Sequence, residues 1–236
     1  MKKIICIFLL LINTIFCYGQ NEITLDSLYP PSDLMISYHT EFTKNHYPKK
    51  IKEFKKDPLK FGDIVFLGNS ITQQGKNWAE RFNVSTVKNR GIAGDVTEGV
   101  LKRLNEIYYF KPKAVFILIG INDLFQGKSP EFIVENILKI VEGIHENSKS
   151  TKIYMQTVLP TKNDFLIEKI SAVNAGLKKM KSSHFKIIDL HELFRDENDL
   201  MKKEYTTDGT HLNEEGYKVW VNKVKKQVVS ISKKKK

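Results

Sequence analysis

The chain has 236 residues, 41% of them hydrophobic, enough for one substantial core. Its formal net charge is +11, but no nucleic-acid motif or arginine–aromatic interleaving accompanies the excess of lysine, which excludes DNA or RNA as the main partner. Such a charge could instead draw the protein to anionic glycans or envelope lipids.

The first residues read as a targeting signal. Lys2 and Lys3 give a positive start, Ile4 to Phe16 is mostly apolar, and Cys17-Tyr18-Gly19 precedes a cut after Gly19. The apolar run is short for a membrane span. The expectation is therefore an exported protein, periplasmic or extracellular. Lipoprotein anchoring through Cys17 is disfavoured because Phe16 stands where a small residue is wanted. Cys6 and Cys17 are the only cysteines. The mature chain would thus have no disulfide framework, cysteine nucleophile or thiolate metal site. Removal of Lys2 and Lys3 leaves 36 basic against 27 acidic side chains.

Residues 20–60 form an entry segment with no chemical motif. Pro30-Pro31 is extended, and Glu41 to Lys56 reads as a lysine-rich surface helix ending before Pro58. A domain over 61–230 follows, with a solvated lysine tail over 231–236. Asp63 to Gly68 is a buried strand that stops at a glycine just before Ser70. Trp78 to Phe82 is a short helix, Thr86 to Asn89 a second strand. The loop Arg90-Gly91-Ile92-Ala93-Gly94-Asp95 leads into one helix with Val100, Leu101, Leu104 and Ile107 on its apolar face. Ala114 to Ile119 is the most apolar run of the mature chain and reads as a central strand covered on both faces. It ends at Gly120-Ile121-Asn122-Asp123. Ser129 and Pro130 start a long helix to about Asn147. Ile153 to Val158 is a fourth strand, Asn163 caps a helix through Met180, and Phe185 to Leu190 is the fifth strand. Asn213 caps a last helix with Trp220, Val224 and Val228 facing the core. This alternation implies an α/β fold, a three-layer α/β/α sandwich around a five-stranded parallel sheet.

Ser70 sits at the carboxyl end of a central strand, where open α/β sheets bind ligands. A serine needs a base, an orienter for that base and oxyanion donors before it can act as a nucleophile. Asp208 and His211, three residues apart in a glycine-containing loop, have the spacing for a carboxylate to fix an imidazole. Taken alone, the pair is equally a turn aspartate and a surface histidine, and Ser70 equally a helix cap. His145, His184 and His191 show no metal spacing, although His191-Glu192 also follows a strand. No phosphate loop, dinucleotide fingerprint or zinc motif is present, so no cofactor and no metal is implied.

Four ordered blocks carry a resemblance: Gly68-Asn69-Ser70-Ile71-Thr72, Gly91-Ile92-Ala93-Gly94-Asp95, Gly120-Ile121-Asn122-Asp123 and Asp208-Gly209-Thr210-His211. They are similar to those of the SGNH hydrolases, the GDSL-type lipases and esterases, over roughly Phe61 to Val228. The resemblance implies Ser70 as nucleophile, His211 as base and Asp208 as its orienter. It further implies an oxyanion hole from the N–H groups of Ser70 and Gly94 and the side chain of Asn122, with Gly91 the fallback for Gly94. Asn69 departs from the family's usual aspartate, keeping its shape and an acceptor but losing its charge.

The local wording is similar to bacterial carbohydrate and sialate O-acetylesterases and to platelet-activating-factor acetylhydrolase-like enzymes. Short loops between the blocks suggest an open site for small acyl groups. The expected activity is hydrolysis of short, acetyl esters, first of all on carbohydrates or sialic acids, the partner being a small-molecule or glycan ester. A lysophospholipase or short-chain lipase uses the same machinery, and a non-catalytic glycan-binding module could keep the same fold.

Overall fold

The computed structural model describes residues 24–180 and 184–233. The stretch expected to be a targeting signal, with both cysteines, and the last three lysines lie outside the described residues. The chain enters through α1 (Glu41–Lys56), then β1 (Ile64–Gly68), α2 (Ser70–Gln74), α3 (Trp78–Phe82) and β2 (Val87–Gly91). It continues with α4 (Thr97–Leu101), α5 (Asn105–Phe110), β3 (Ala114–Leu118), α6 (Ile121–Phe125) and α7 (Pro130–Asn147). It ends with β4 (Lys152–Gln156), α8 (Ile167–Lys179), β5 (Phe185–Ile188), α9 (His191–Phe194) and α10 (Glu214–Ser232).

The five strands are parallel in the order β2-β1-β3-β4-β5, the arrangement of flavodoxin-like sandwiches. Strand alternation divides the core in two. Val65, Leu67, Val115, Ile117, Ile153 and Met155 pack against α1, α4, α5, α7 and α8. Ile64, Phe66, Phe116 and Tyr154 face α3, α9 and α10. On that second face the sheet register sets Phe66 beside Phe116 and Phe116 beside Tyr154, with ring centroids 4.8 and 4.6 Å apart. Trp78 closes the stack on Phe66 at 4.3 Å, and Trp220 of α10 meets Trp78 edge-on. These large rings hold α10 against β1 and β3 through apolar burial and their quadrupoles.

Four local expectations need correction. The single helix after Asp95 is two helices, α4 and α5. Between them Arg103 turns its guanidinium inward, bonding Asp95 and the carbonyls of Arg90 and Gly68. The apolar spacing of Val100, Leu104 and Ile107 survives that break, so the sequence pattern runs through it. Asn163 makes no side-chain cap; a 3₁₀ turn over Asp164–Leu166 precedes α8. The strands after β3 also stop earlier, at Gln156 and Ile188. Helix α1 has the expected bounds but is no mere surface helix, since it buries Thr43, Tyr47, Ile51 and Phe54. Among the described residues no helix is long and apolar enough to cross a membrane.

Candidate active site

Ser70 is the first residue of α2, two residues beyond the end of β1. Asn69 caps that helix, its Oδ1 accepting the Ile71 N–H at 3.1 Å. The acceptor that an aspartate would supply here is therefore kept. Ser70 is buried, and its Oγ lies 3.0 Å from His211 Nε2. His211 Nδ1 lies 2.7 Å from Asp208 Oδ2.

The loop carrying Asp208 and His211 is rigid for local reasons. Asp208 Oδ1 accepts the N–H groups of Thr210 and His211 at 2.9 and 2.8 Å. Gly209 takes φ +91°, a left-handed conformation that suits glycine, and Lys162 packs over it. The His211 carbonyl accepts from Thr206 Oγ1 at 2.6 Å and from the Thr207 N–H. Helix α10 follows at once, with Asn213 accepting the Gly216 N–H.

Two contacts then lock this loop to the serine. Tyr217 donates its hydroxyl to the Ile71 carbonyl at 2.7 Å. Arg81 grips Glu214 with both terminal nitrogens, at 3.0 and 2.9 Å, while its Nε donates to the Gly75 carbonyl. The base-bearing and serine-bearing turns are thus held as one unit.

Electrostatics fix the protons. Burial works against ionisation of Asp208, but the His211 imidazole and the Thr210 and His211 N–H groups outweigh it and bring its pKa down to about 2. An ionised Asp208 only accepts hydrogen bonds, so His211 carries its proton on Nδ1 and donates it there. The lone pair on Nε2 is left for the Ser70 hydroxyl, which donates to it.

Opposite this triad of side chains, Ile92 to Asp95 forms a turn, with the Asp95 N–H on the Ile92 carbonyl at 3.0 Å. Gly94 has φ +80°, the value for the third position of a type II turn. That conformation reverses the Ala93–Gly94 peptide relative to a type I turn, so the glycine decides where its own N–H points. Among the described residues neither the Gly94 nor the Ser70 N–H has an acceptor. The Gly91 N–H, in contrast, is occupied by Asn89 Oδ1. Asn122 stands at the start of α6 and spends one amide hydrogen on the Asp95 carbonyl at 2.8 Å, leaving the other available.

Behind these donors lie two buried polar clusters. Asp95 bonds Arg103 at 2.9 Å and faces His39 at 3.4 Å. Asp123 accepts from the Thr97 N–H and hydroxyl and from Tyr38. It therefore braces the loop after β3 and does not pair with His211. Burial raises its pKa to about 6 despite the Thr97 bonds.

The entry segment supplies what sequence reasoning missed. Thr43 packs on Gly94, and His46 Nε2 lies 2.9 Å from Gln73 Oε1, which also takes the Ala93 N–H at 2.7 Å. Since that oxygen is already an acceptor, His46 must donate from Nε2. Nothing local marks these residues, because each contact spans 20 or more positions. His191, noted at the same end of the sheet, donates its N–H to Thr157 and makes no bond to Ser70, Asp208 or His211. Among the described residues no cluster of acidic, histidine or cysteine side chains could hold a metal ion.

Residues 66–219, from within β1 to within α10, match the model of the GDSL-like Lipase/Acylhydrolase family. The chain belongs to that family. This is a family of carboxylic ester hydrolases, and the GDSL-type match spans both the strand before Ser70 and the loop carrying His211. Among curated relatives, the chain is 32% identical over 103 residues to platelet-activating factor acetylhydrolase IB subunit alpha1 of Pongo abelii, covering 42% of this chain and 44% of that one. It is 30% identical over 164 residues to subunit alpha2 from Rattus norvegicus, covering 66% and 71%. The chain thus spans less than half the length of the alpha1 relative. A Streptococcus pneumonia structure solved as a candidate platelet activating factor superposes with a TM-score of 0.69 at 25% identity, over 79% of this chain and 92% of that one.

Proposed function

We propose that this protein is a serine esterase that removes short acyl groups, acetyl above all, from carbohydrate or sialic acid O-esters. The observation that carries the mechanism is the line Ser70 Oγ–His211 Nε2–Asp208, with separations of 3.0 and 2.7 Å. In this reading Ser70 attacks the ester carbonyl while His211 takes its proton. The negative charge on the carbonyl oxygen is met by the N–H groups of Ser70 and Gly94 and the free amide hydrogen of Asn122. These donors are fixed before the charge develops, which is why one of them is worth about 2.7–4 kcal/mol of barrier. His211 returns the proton to the departing alcohol, and an activated water then releases the acyl group and restores Ser70.

The acetyl preference is supported by the named acetylhydrolase relatives. The sugar preference is supported by the wording of the blocks and by the basic charge, which suits anionic glycans. Export through residues 1–19 is part of the same proposal, since it would bring the enzyme to extracellular or envelope glycans.

The test is hydrolysis of p-nitrophenyl esters from acetate to octanoate by the mature protein, beside Ser70→Ala. Acetate turnover that vanishes in Ser70→Ala supports the esterase and leads to a screen of O-acetylated sugars and sialic acids. A preference for octanoate moves the assignment to a lipase. Turnover unchanged in Ser70→Ala overturns the mechanism.

A further inference from the structure

Helix α1 ends the entry segment and lies wholly outside the stretch that matches the family model. It nevertheless reaches the site through two adjacent turns. Thr43 packs on Gly94, and His46 is held by Gln73, the third residue after Ser70. Beside these anchors, one residue before Thr43 and four before His46, stands Phe42, which is 61% exposed.

Phe42 is not loose. It stacks on His46, four residues on, with ring centroids 5.1 Å apart and planes 18° from parallel. His46 cannot turn away without giving up its bond to Gln73. The result is an exposed, flat aromatic face whose imidazole half is anchored by the same glutamine that accepts the Ala93 N–H beside Gly94. A shallow, open depression of about 330 Å³ runs along this face of α1, where Glu41, Asn45 and Lys49 stand beside the two rings.

We infer that Phe42 and His46 form a subsite for the pyranose ring of the ester's alcohol portion. The chemistry of this face selects this ligand. A pyranose has one face of C–H groups that lies flat on an aromatic ring, and an edge of hydroxyls that needs donors and acceptors. The depression offers one aromatic face with carboxylate, amide and ammonium groups around it, the mixture typical of sites that orient a ligand by a few polar contacts. An alkyl chain would cover one ring and desolvate three polar side chains without repaying their lost hydrogen bonds. The inference rests on the carbohydrate reading above and extends it by naming the residues that would recognise the sugar.

The test separates binding from turnover. Ser70→Ala keeps α1 intact, so calorimetric titration of that variant with an O-acetylated methyl pyranoside reads binding alone. Adding Phe42→Ala should weaken binding by roughly three- to tenfold, and Phe42→Trp should restore it. In proteins with Ser70 intact, Phe42→Ala should lower the ratio of kcat/KM for the sugar ester to that for ethyl acetate by a similar factor. Equal affinity with and without Phe42, or no binding to Ser70→Ala, overturns the subsite. So does a Phe42-dependent dimer on size-exclusion chromatography, because a second copy would then be what covers the ring. Phe42-dependent sugar binding without ester turnover by the intact protein would leave the subsite standing and remove the esterase reading.

Discussion

Thr43 stands so close to Gly94 that a β-carbon on the glycine would lie 2.0 Å from the threonine Oγ1. The glycine is also left-handed, with φ +80°. Two separate constraints therefore keep this residue without a side chain. Gly94→Ala should lower kcat for acetyl esters by about 10² or more, the scale of losing one oxyanion donor. The double variant Thr43→Ala/Gly94→Ala relieves the collision but not the backbone, since a left-handed residue with a β-carbon costs about 1–2 kcal/mol. Steady-state kinetics should show the double variant still impaired; full recovery would mean that only the collision mattered.

Asp208→Asn should be far more harmful to rate than to folding. Asn keeps an oxygen for the Thr210 and His211 N–H groups but can present an N–H to Nδ1, turning the imidazole to the wrong tautomer. A fall in kcat on the order of 10⁴ is expected. Circular dichroism melts of the two proteins at neutral pH should nearly coincide.

Glu106 is the hub of a buried cluster far from any motif. Its carboxylate accepts from Arg90 Nε and Nη2, Tyr29 and the Leu59 N–H, each at 2.8 Å. Glu106→Ala would strand the buried guanidinium, at a cost of about 3–5 kcal/mol. Urea unfolding should give an unfolding free energy lower by that amount, with a correspondingly lower midpoint, and Glu106→Gln a smaller loss, because the amide still offers one acceptor.

Two aspartates should give the stability curve slopes of opposite sign. Asp123 is raised from the ordinary 3.8 to about 6 by burial, so its folded state favours the neutral carboxyl. Its contribution is complete below about pH 4 and is lost as pH rises towards 6. Asp208 is lowered to about 2, chiefly because hydrogen bonds from His211 and Thr210 overcome its burial. Its contribution is complete above about pH 4 and is lost as pH falls towards 2; its half-exposed side chain keeps that contribution small. Melting temperatures measured from pH 2 to 8 should lose the first slope in Asp123→Asn and the second in Asp208→Asn. A first slope that persists in Asp123→Asn would assign it to another group.

The sheet and the four blocks can be read in the sequence because each block sits where a strand pattern stops or a helix cap begins. Asp208 and His211 are legible as a pair because a three-residue spacing is a local property. The partners of Gly94 are not. Thr43 and His46 lie on a helix whose lysines read as a solvated face, and their value comes from meeting Gly94 and Gln73, residues well over 20 positions away. Arg103 is hidden for a different reason: the apolar spacing around it fits one helix as well as two, and only its buried bonds to the Arg90 and Gly68 carbonyls reveal the break.

Ser70 and His211 are separated by 141 residues, with every strand after β1 laid down between them. Their 3.0 Å contact therefore comes into being only once the sheet is complete and α10 has docked on the aromatic stack. Closing so long a loop is entropically slow, and contacts of this separation are characteristic of late steps in folding. Ester turnover should accordingly appear last during refolding, after fluorescence from Trp78 and Trp220 has already reported collapse. In a growing chain the nucleophile would therefore leave the ribosome unarmed, with its base still to be synthesised 141 residues later.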